Sequence, residues 1–182
     1  DYIKIDNTIE IPNESFAIHK LSHDFLNIHG KNINSVLQEF NNLLKQSDII
    51  VGHNILFDIN IMGAEFFRTN IHSTLMDEKT IDTKVQSTDF CAIPGGRGGK
   101  FKWPTLTELH KKLFNEGFNE AHNASADVEA TSRCFLELIR KSIITSDLLG
   151  FDNDYLKKYS EYNPNPFKLL GLNTKPYVPH DF

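Results

Sequence analysis

"DIIVGHNILFDINIMGAEF", Asp48 to Phe66, carries two periods back to back. Ile49, Ile50 and Val51 form a short unbroken apolar run closed by Gly52, the pattern of a strand buried on both faces. Then Ile55, Ile59, Met62 and Phe66 recur at helical spacing, so the chain turns from strand straight into helix, with Asp58 in the helix's first turns. A strand running directly into a helix is the unit from which α/β layers are built.

Working outward, Val36, Leu37, Phe40, Leu43 and Leu44 give residues 34–46 an amphipathic helical face. Residues 1–12 alternate loosely through Ile3, Ile5, Ile9 and Ile11 up to Pro12, predicting an edge strand or hairpin arm. "TIDTKVQS" reads as a further short strand, and "IPGGRGGKFKW" as a glycine-rich loop. Pro104 and the pair Thr105 and Glu108 predict a capped helix carrying Leu106, Leu109 and Leu113. A last helix is expected from about Ser125 to Lys141, with Val128, Thr131, Phe135, Leu138 and Ile139 on one face. Past Gly150 the pattern fades into an Asn- and Pro-rich stretch that reads as a linker or docking tail. The expected class is α/β: a mixed β-sheet flanked by helices, with ligands gathered beyond the carboxyl ends of its strands.

A chain of 182 residues with 40% hydrophobic and 24% charged residues has the balance of one ordinary folded domain. Cys91 and Cys134 have no motif spacing, and no apolar run approaches the roughly 18 residues of a membrane span, so no membrane partner is expected and a reducing cytoplasm is the default. The net charge of −5 argues against a broad basic face for nucleic acid; such binding has to be local or assisted. The first residue is Asp, inside what reads as a strand, so coding sequence upstream is expected.

Asp58 and Asp127 share a setting, in the first turns of helices beside apolar positions. Helix dipoles and free N–H groups there favour the ionised carboxylate, a hard oxygen ligand suited to Mg²⁺ or Mn²⁺. The alternative is that both serve the dipole alone. His122, in "AHNASADVEAT", stands ahead of Asp127 where a general base for a metal-bound water is well placed; a polar surface group is the alternative. The glycine-rich loop is not a P-loop, since Pro94 takes the first glycine position and Phe101 stands where Ser or Thr must bind the metal. Neither H-E-x-x-H nor C-x-x-C occurs, which sets aside zinc proteolysis.

"VGHNILFDINIMGAEF" resembles the second motif, and "AHNASADVEATSRCF" the third, of the DEDDh (DnaQ-like, RNase H-like) 3′→5′ exonucleases, which include the proofreading epsilon subunit of bacterial DNA polymerase III. "KFKWPTLTELHKKLF" and "IPNESFAIHKLS" also resemble segments of that family, and the likeness covers about residues 1–141. More narrowly, "PGGRGGKFKWPTLTELH" with "ADVEATSRCFLELIR" resembles the exonuclease domain at the N-terminus of some bacterial DNA polymerase III alpha subunits. The resemblance implies an RNase H-like sheet lacking its first strand or strands, an exonuclease domain over 1–145 and a tail or linker over 146–182. It further implies metal-dependent removal of nucleoside 5′-monophosphates from DNA 3′ ends, single-stranded or frayed, with the polymerase alpha subunit as partner in cis or in trans. Two Mg²⁺ or Mn²⁺ ions serve the complete family site. Asp58 and Asp127 would be ligands, His122 the base, and Asn54, Phe57 and His19 would lie near substrate. Small Ala124, Ser125 and Ala126 would admit the strand closely.

One departure stands out. The family's first motif, Asp-x-Glu on the first strand, has no counterpart before Asp58, because Asp1, Asp6 and Glu10 lack the spacing. By the resemblance it is expected some tens of residues upstream of Asp1; a natural loss would leave an inactive relative. The rival readings are an RNA-trimming member of the same family and a non-catalytic module that binds nucleic acid or polymerase. Arg97, Lys100, Lys102 and Trp103 mix basic and aromatic groups suited to a single strand, or else to a plain surface hairpin.

Overall fold

A computed structural model describes residues 1–118 and 124–168, which fall into two compact units: residues 1–48 with 57–78, and residues 49–56 with 79–118 and 124–168. In the first unit, the predicted edge strand at 1–12 is not formed. Ile3 makes a single parallel bridge to Lys31, and the Lys4 amide donates to the Lys31 carbonyl at 2.9 Å. Asp6 stops the strand there. Its carboxylate accepts from the Thr8 amide and hydroxyl at 2.8 and 2.7 Å, and the Ile9 amide returns to its carbonyl at 3.0 Å, so the chain turns where a ladder would have to continue.

Three helices follow: α1 (Asn13–His19), α2 (His23–His29) and α3 (Ile33–Leu44). Pro12 stands just before α1 as its N-cap, with φ −58° and ψ 139°, and Ser22 and Asn32 cap α2 and α3 through side-chain oxygens. The spacing that predicted α3 puts Leu37 and Leu44 inside, with Leu26, Ile59, Phe66 and Leu75. Ile59 and Phe66 come from α4 (Ile55–Arg68), as their interval predicts.

In the second unit the apolar run becomes β1 (Ile50–Gly52), pairing in parallel with β2 (Thr80–Asp82) in the register Ile50 to Thr80, Val51 to Ile81 and Gly52 to Asp82. Parallel strands need a crossover, and residues 53–79, including α4, supply the chain length for it. Among the described residues the sheet has these two strands, so the architecture is α/β, mostly helical, around a short parallel sheet. Only the first part of "TIDTKVQS" is strand: Asp82 caps the Lys84 amide at 2.9 Å and diverts the chain into α5 (Thr83–Gln86), then α6 (Thr88–Cys91).

The predicted capping box is present. Thr105 accepts from the Glu108 amide at 3.2 Å, Glu108 accepts from the Thr105 amide at 2.8 Å, and α7 runs Leu106–Phe114. Helix α8 (Ala124–Arg140) matches the last predicted helix, but its inner face differs: Val128 is exposed, while Ala126, Ala130, Cys134 and Leu138 are buried. Small residues let α8 approach the sheet and α7 closely, which a valine stripe would hold off.

The core joins Ile81, Leu109, Cys134, Leu138, Ile144 and Leu149. Leu149 belongs to α9 (Ser146–Leu149), and Leu156 and Tyr159 of α10 (Asn153–Tyr162) pack against the same core; both helices lie in the stretch read from sequence as a tail. Cys91 and Cys134 are free and buried, and burial pushes the Cys134 thiol up to about 12, so it stays an unreactive apolar filler at neutral pH. Among the described residues no helix is long and apolar enough to cross a membrane.

Candidate functional site

Parallel strands deliver their carboxyl ends to one edge, where Gly52-His53-Asn54 and Asp82-Thr83-Lys84 lie side by side. Gly52 is required there, since a Cβ would come within 2.5 Å of the Ile55 side chain. Asn54 turns the chain with φ 70°, a left-handed value that asparagine tolerates better than most residues. Its amide donates to Asp82 Oδ1 at 2.9 Å, the same oxygen that caps α5, so a single carboxylate fixes both strand ends.

His53 is half-buried and bridges three segments. Its Nε2 lies 3.0 Å from the Pro104 carbonyl and its Nδ1 3.0 Å from Thr83 Oγ1, which itself reaches the Gly52 carbonyl at 3.0 Å. A carbonyl can only accept, so Nε2 carries the proton. Burial lowers the His53 pKa, and the ring's Nδ1 faces the Thr83 hydroxyl, whose proton goes to the Gly52 carbonyl. His53 therefore ties the end of β1 to the start of α5 and the entry of α7, a structural duty.

Lys84 completes the edge. Its ammonium bonds the Asn54 side-chain oxygen and sits 4.5 Å from the centre of the Trp103 ring. Neither Asp82 nor Lys84 was singled out from the sequence. The available signal was the Asp-Thr pair closing an apolar strand, the composition of a helix N-cap.

Of the residues predicted for a site, Asp58 lies exposed in the first turn of α4, counted with the first unit, next to buried Ile59. Asp127 lies half-buried in the first turn of α8, in the second unit, beside buried Ala126. Asn54 belongs to the strand-end cluster above. Phe57 is exposed at 60%, and the exposed His19 closes α1 with its Nδ1 accepting the Leu21 amide at 2.9 Å. His122 lies outside the described residues.

Two hard carboxylates suit a divalent ion in kind. Among the described residues, however, no group of three or more His, Cys, Asp or Glu side chains is gathered to hold a metal. The described residues thus fall short of a complete coordination set.

The segment that leads toward His122 is anchored from α8. His110, wholly buried on α7, has its Nδ1 2.9 Å from the Glu116 carbonyl and its Nε2 3.0 Å from Arg133 Nη1. A carbonyl cannot donate and a guanidinium cannot accept, so the imidazole must be neutral and protonated at Nδ1. Burial, first, and the Arg133 charge lower its pKa accordingly. Arg133 also pairs with Glu116 at 2.6 Å, lies 3.7 Å from the Phe114 ring centre and donates to the Phe167 carbonyl. Arg133 holds residues 114–116 and the strand of chain at 167 to one helix.

The exonuclease family model of RNase T type matches residues 1–135. The DNA polymerase III PolC-type proteins of two Streptococcus agalactiae strains, serotype III and serotype V, are each 30% identical to the chain over 113 residues, 62% of its length. The chain spans 7% of the length of these relatives.

Proposed function

Because the chain belongs to the exonuclease family, matched over residues 1–135, we propose that it is a 3′→5′ exonuclease acting on DNA ends in replication proofreading. The observation that carries this reading is the strand-turn-helix from Ile50 to Arg68. It sets Asn54 at the carboxyl end of β1 and Asp58 in the first turn of α4, the context in which the family's second motif works. Asp127, likewise in a first helical turn, supports the third motif. The likeness to PolC-type polymerases supports a polymerase as the partner, linked in cis or bound in trans, so that tethering supplies the affinity that a net charge of −5 does not.

In this proposal Asp58 and Asp127 are ligands for Mg²⁺ or Mn²⁺, whose chemistry when bound is to polarise the phosphate and its attacking water. His122 accepts the water's proton, and Asn54, Phe57 and His19 lie along the strand.

The test uses the full-length gene product with 5′-labelled DNA in Mg²⁺ or Mn²⁺. Shortening from the 3′ end with release of nucleoside 5′-monophosphates is expected. Asp58→Ala and Asp127→Ala should abolish it, and His122→Ala should cost about 10²-fold or more. Near-normal rates in these variants, with circular dichroism unchanged, would remove the assignment. Faster trimming of short RNA than of a 3′-mismatched DNA primer would replace proofreading with RNA processing.

A further inference from the structure

Trp103 is the single tryptophan of the chain, and 64% of it is exposed. An indole offers a broad apolar face with one N–H donor, and a face open to solvent can receive another flat ring. Its position is fixed from both sides: the adjacent Pro104 carbonyl is bound by His53, and the preceding Lys102 amide donates to the Ile93 carbonyl at 2.9 Å. The ring is thereby held at the carboxyl edge of β1 and β2, the edge where open α/β sheets receive ligands.

Lys84, from the end of β2, places its ammonium 4.5 Å from that ring centre. An ammonium has three N–H donors, and the Asn54 oxygen takes one, so the group retains capacity for a phosphate oxygen beside the indole. Exposed Phe101, Arg97 and Lys100 continue the aromatic and basic character along the preceding loop. That loop crosses itself tightly: a Cβ on Gly96 would stand 2.3 Å from the Lys100 carbonyl oxygen and 2.4 Å from that of Phe101, which keeps the hairpin narrow.

We propose that Trp103 and Lys84 form a stacking platform for a single nucleic-acid strand, the indole receiving a base and the ammonium its phosphate. This rests on the exonuclease reading for the class of ligand, and it assigns the strand a second point of attachment, apart from Asp58 and Asp127. A site of one aromatic face and one or two cations is local. It therefore suits a protein of net negative charge, which lacks a broad basic surface.

Since Trp103 is the single tryptophan, its emission reports on the platform directly. The chain is titrated with oligo(dT) and, separately, oligo(U), in EDTA so that no hydrolysis intervenes, following intrinsic fluorescence and the anisotropy of a labelled oligomer. Saturable quenching by either strand is expected, the two arms distinguishing DNA from RNA. Trp103→Ala should weaken binding about 10-fold, and Lys84→Gln should weaken it several-fold and lower the salt slope by about 0.7.

Saturable binding with unchanged emission, no quenching up to about 1 mM oligomer, or wild-type affinity in both variants would overturn the platform. Lys84→Gln changes one exposed-edge side chain and serves as the check should Trp103→Ala fold poorly. Hydrolysis by the full-length product without quenching would sink the platform and keep the exonuclease reading; quenching without hydrolysis would do the reverse.

Discussion

Replacing Arg133 by Met tests how the chain leading toward His122 is held. Methionine keeps an unbranched stem against Phe114 but removes every donor. The largest loss is at His110, wholly buried, whose Nε2 then has no partner; an orphaned buried acceptor costs about 1–3 kcal/mol. Loss of the cation 3.7 Å from the Phe114 ring adds about 1 kcal/mol. The Glu116 pair adds little, at most about 1 kcal/mol, because that carboxylate is 56% exposed. Relief from burying a guanidinium, 10% exposed in the native chain, offsets part of this, leaving a net destabilisation of about 2–3 kcal/mol. In urea, with a slope of about 2 kcal/mol/M, the midpoint should drop by about 1–1.5 M with the slope unchanged. The double variant Arg133→Met with His110→Phe should be less destabilised than the sum of the two singles, because the orphaned nitrogen is then gone. A midpoint shift below about 0.3 M, or strictly additive singles, would refute the account.

Two further outcomes follow from the same geometry. Burial lowers the pKa of both His53 and His110 in the folded chain, so below the ordinary value of about 6.5 the unfolded chain takes up protons that the folded one refuses. Stability should be full above that pH and fall as pH drops toward the lowered values, with a limiting slope of about 1.4 kcal/mol per pH unit for each histidine; His110→Phe should flatten the urea-midpoint profile below about pH 6.5. Thr105→Ala removes the cap at the start of α7 and should cost about 1 kcal/mol by urea titration, with Thr105→Ser restoring most of it.

The capped and periodic elements were legible because their causes are local. The run at 49–51, the interval from Ile55 to Phe66 and the Thr105 and Glu108 box each encode one element within a turn or two of chain, and β1, α4 and α7 formed where they indicate. The strand expected at 1–12 failed for an equally local reason that alternation masks: the Asp6 carboxylate offers the backbone a turn in place of a ladder. Helix α10 escaped because it has few apolar residues; Leu156 and Tyr159 suffice only because a core already lies beneath them.

For the site, the sequence by itself determined which residue types stand in which local context: acidic groups in first helical turns, an asparagine after a strand, an aromatic in a basic loop. Tertiary structure alone decided that Asp82 binds the Asn54 amide, that Lys84 lies over Trp103 and that His110 must be neutral between Glu116 and Arg133. The physical reason is range. Hydrogen-bond capping and helical periodicity act over three or four residues, whereas a side chain's charge state and partners depend on what distant segments bring within about 3–5 Å.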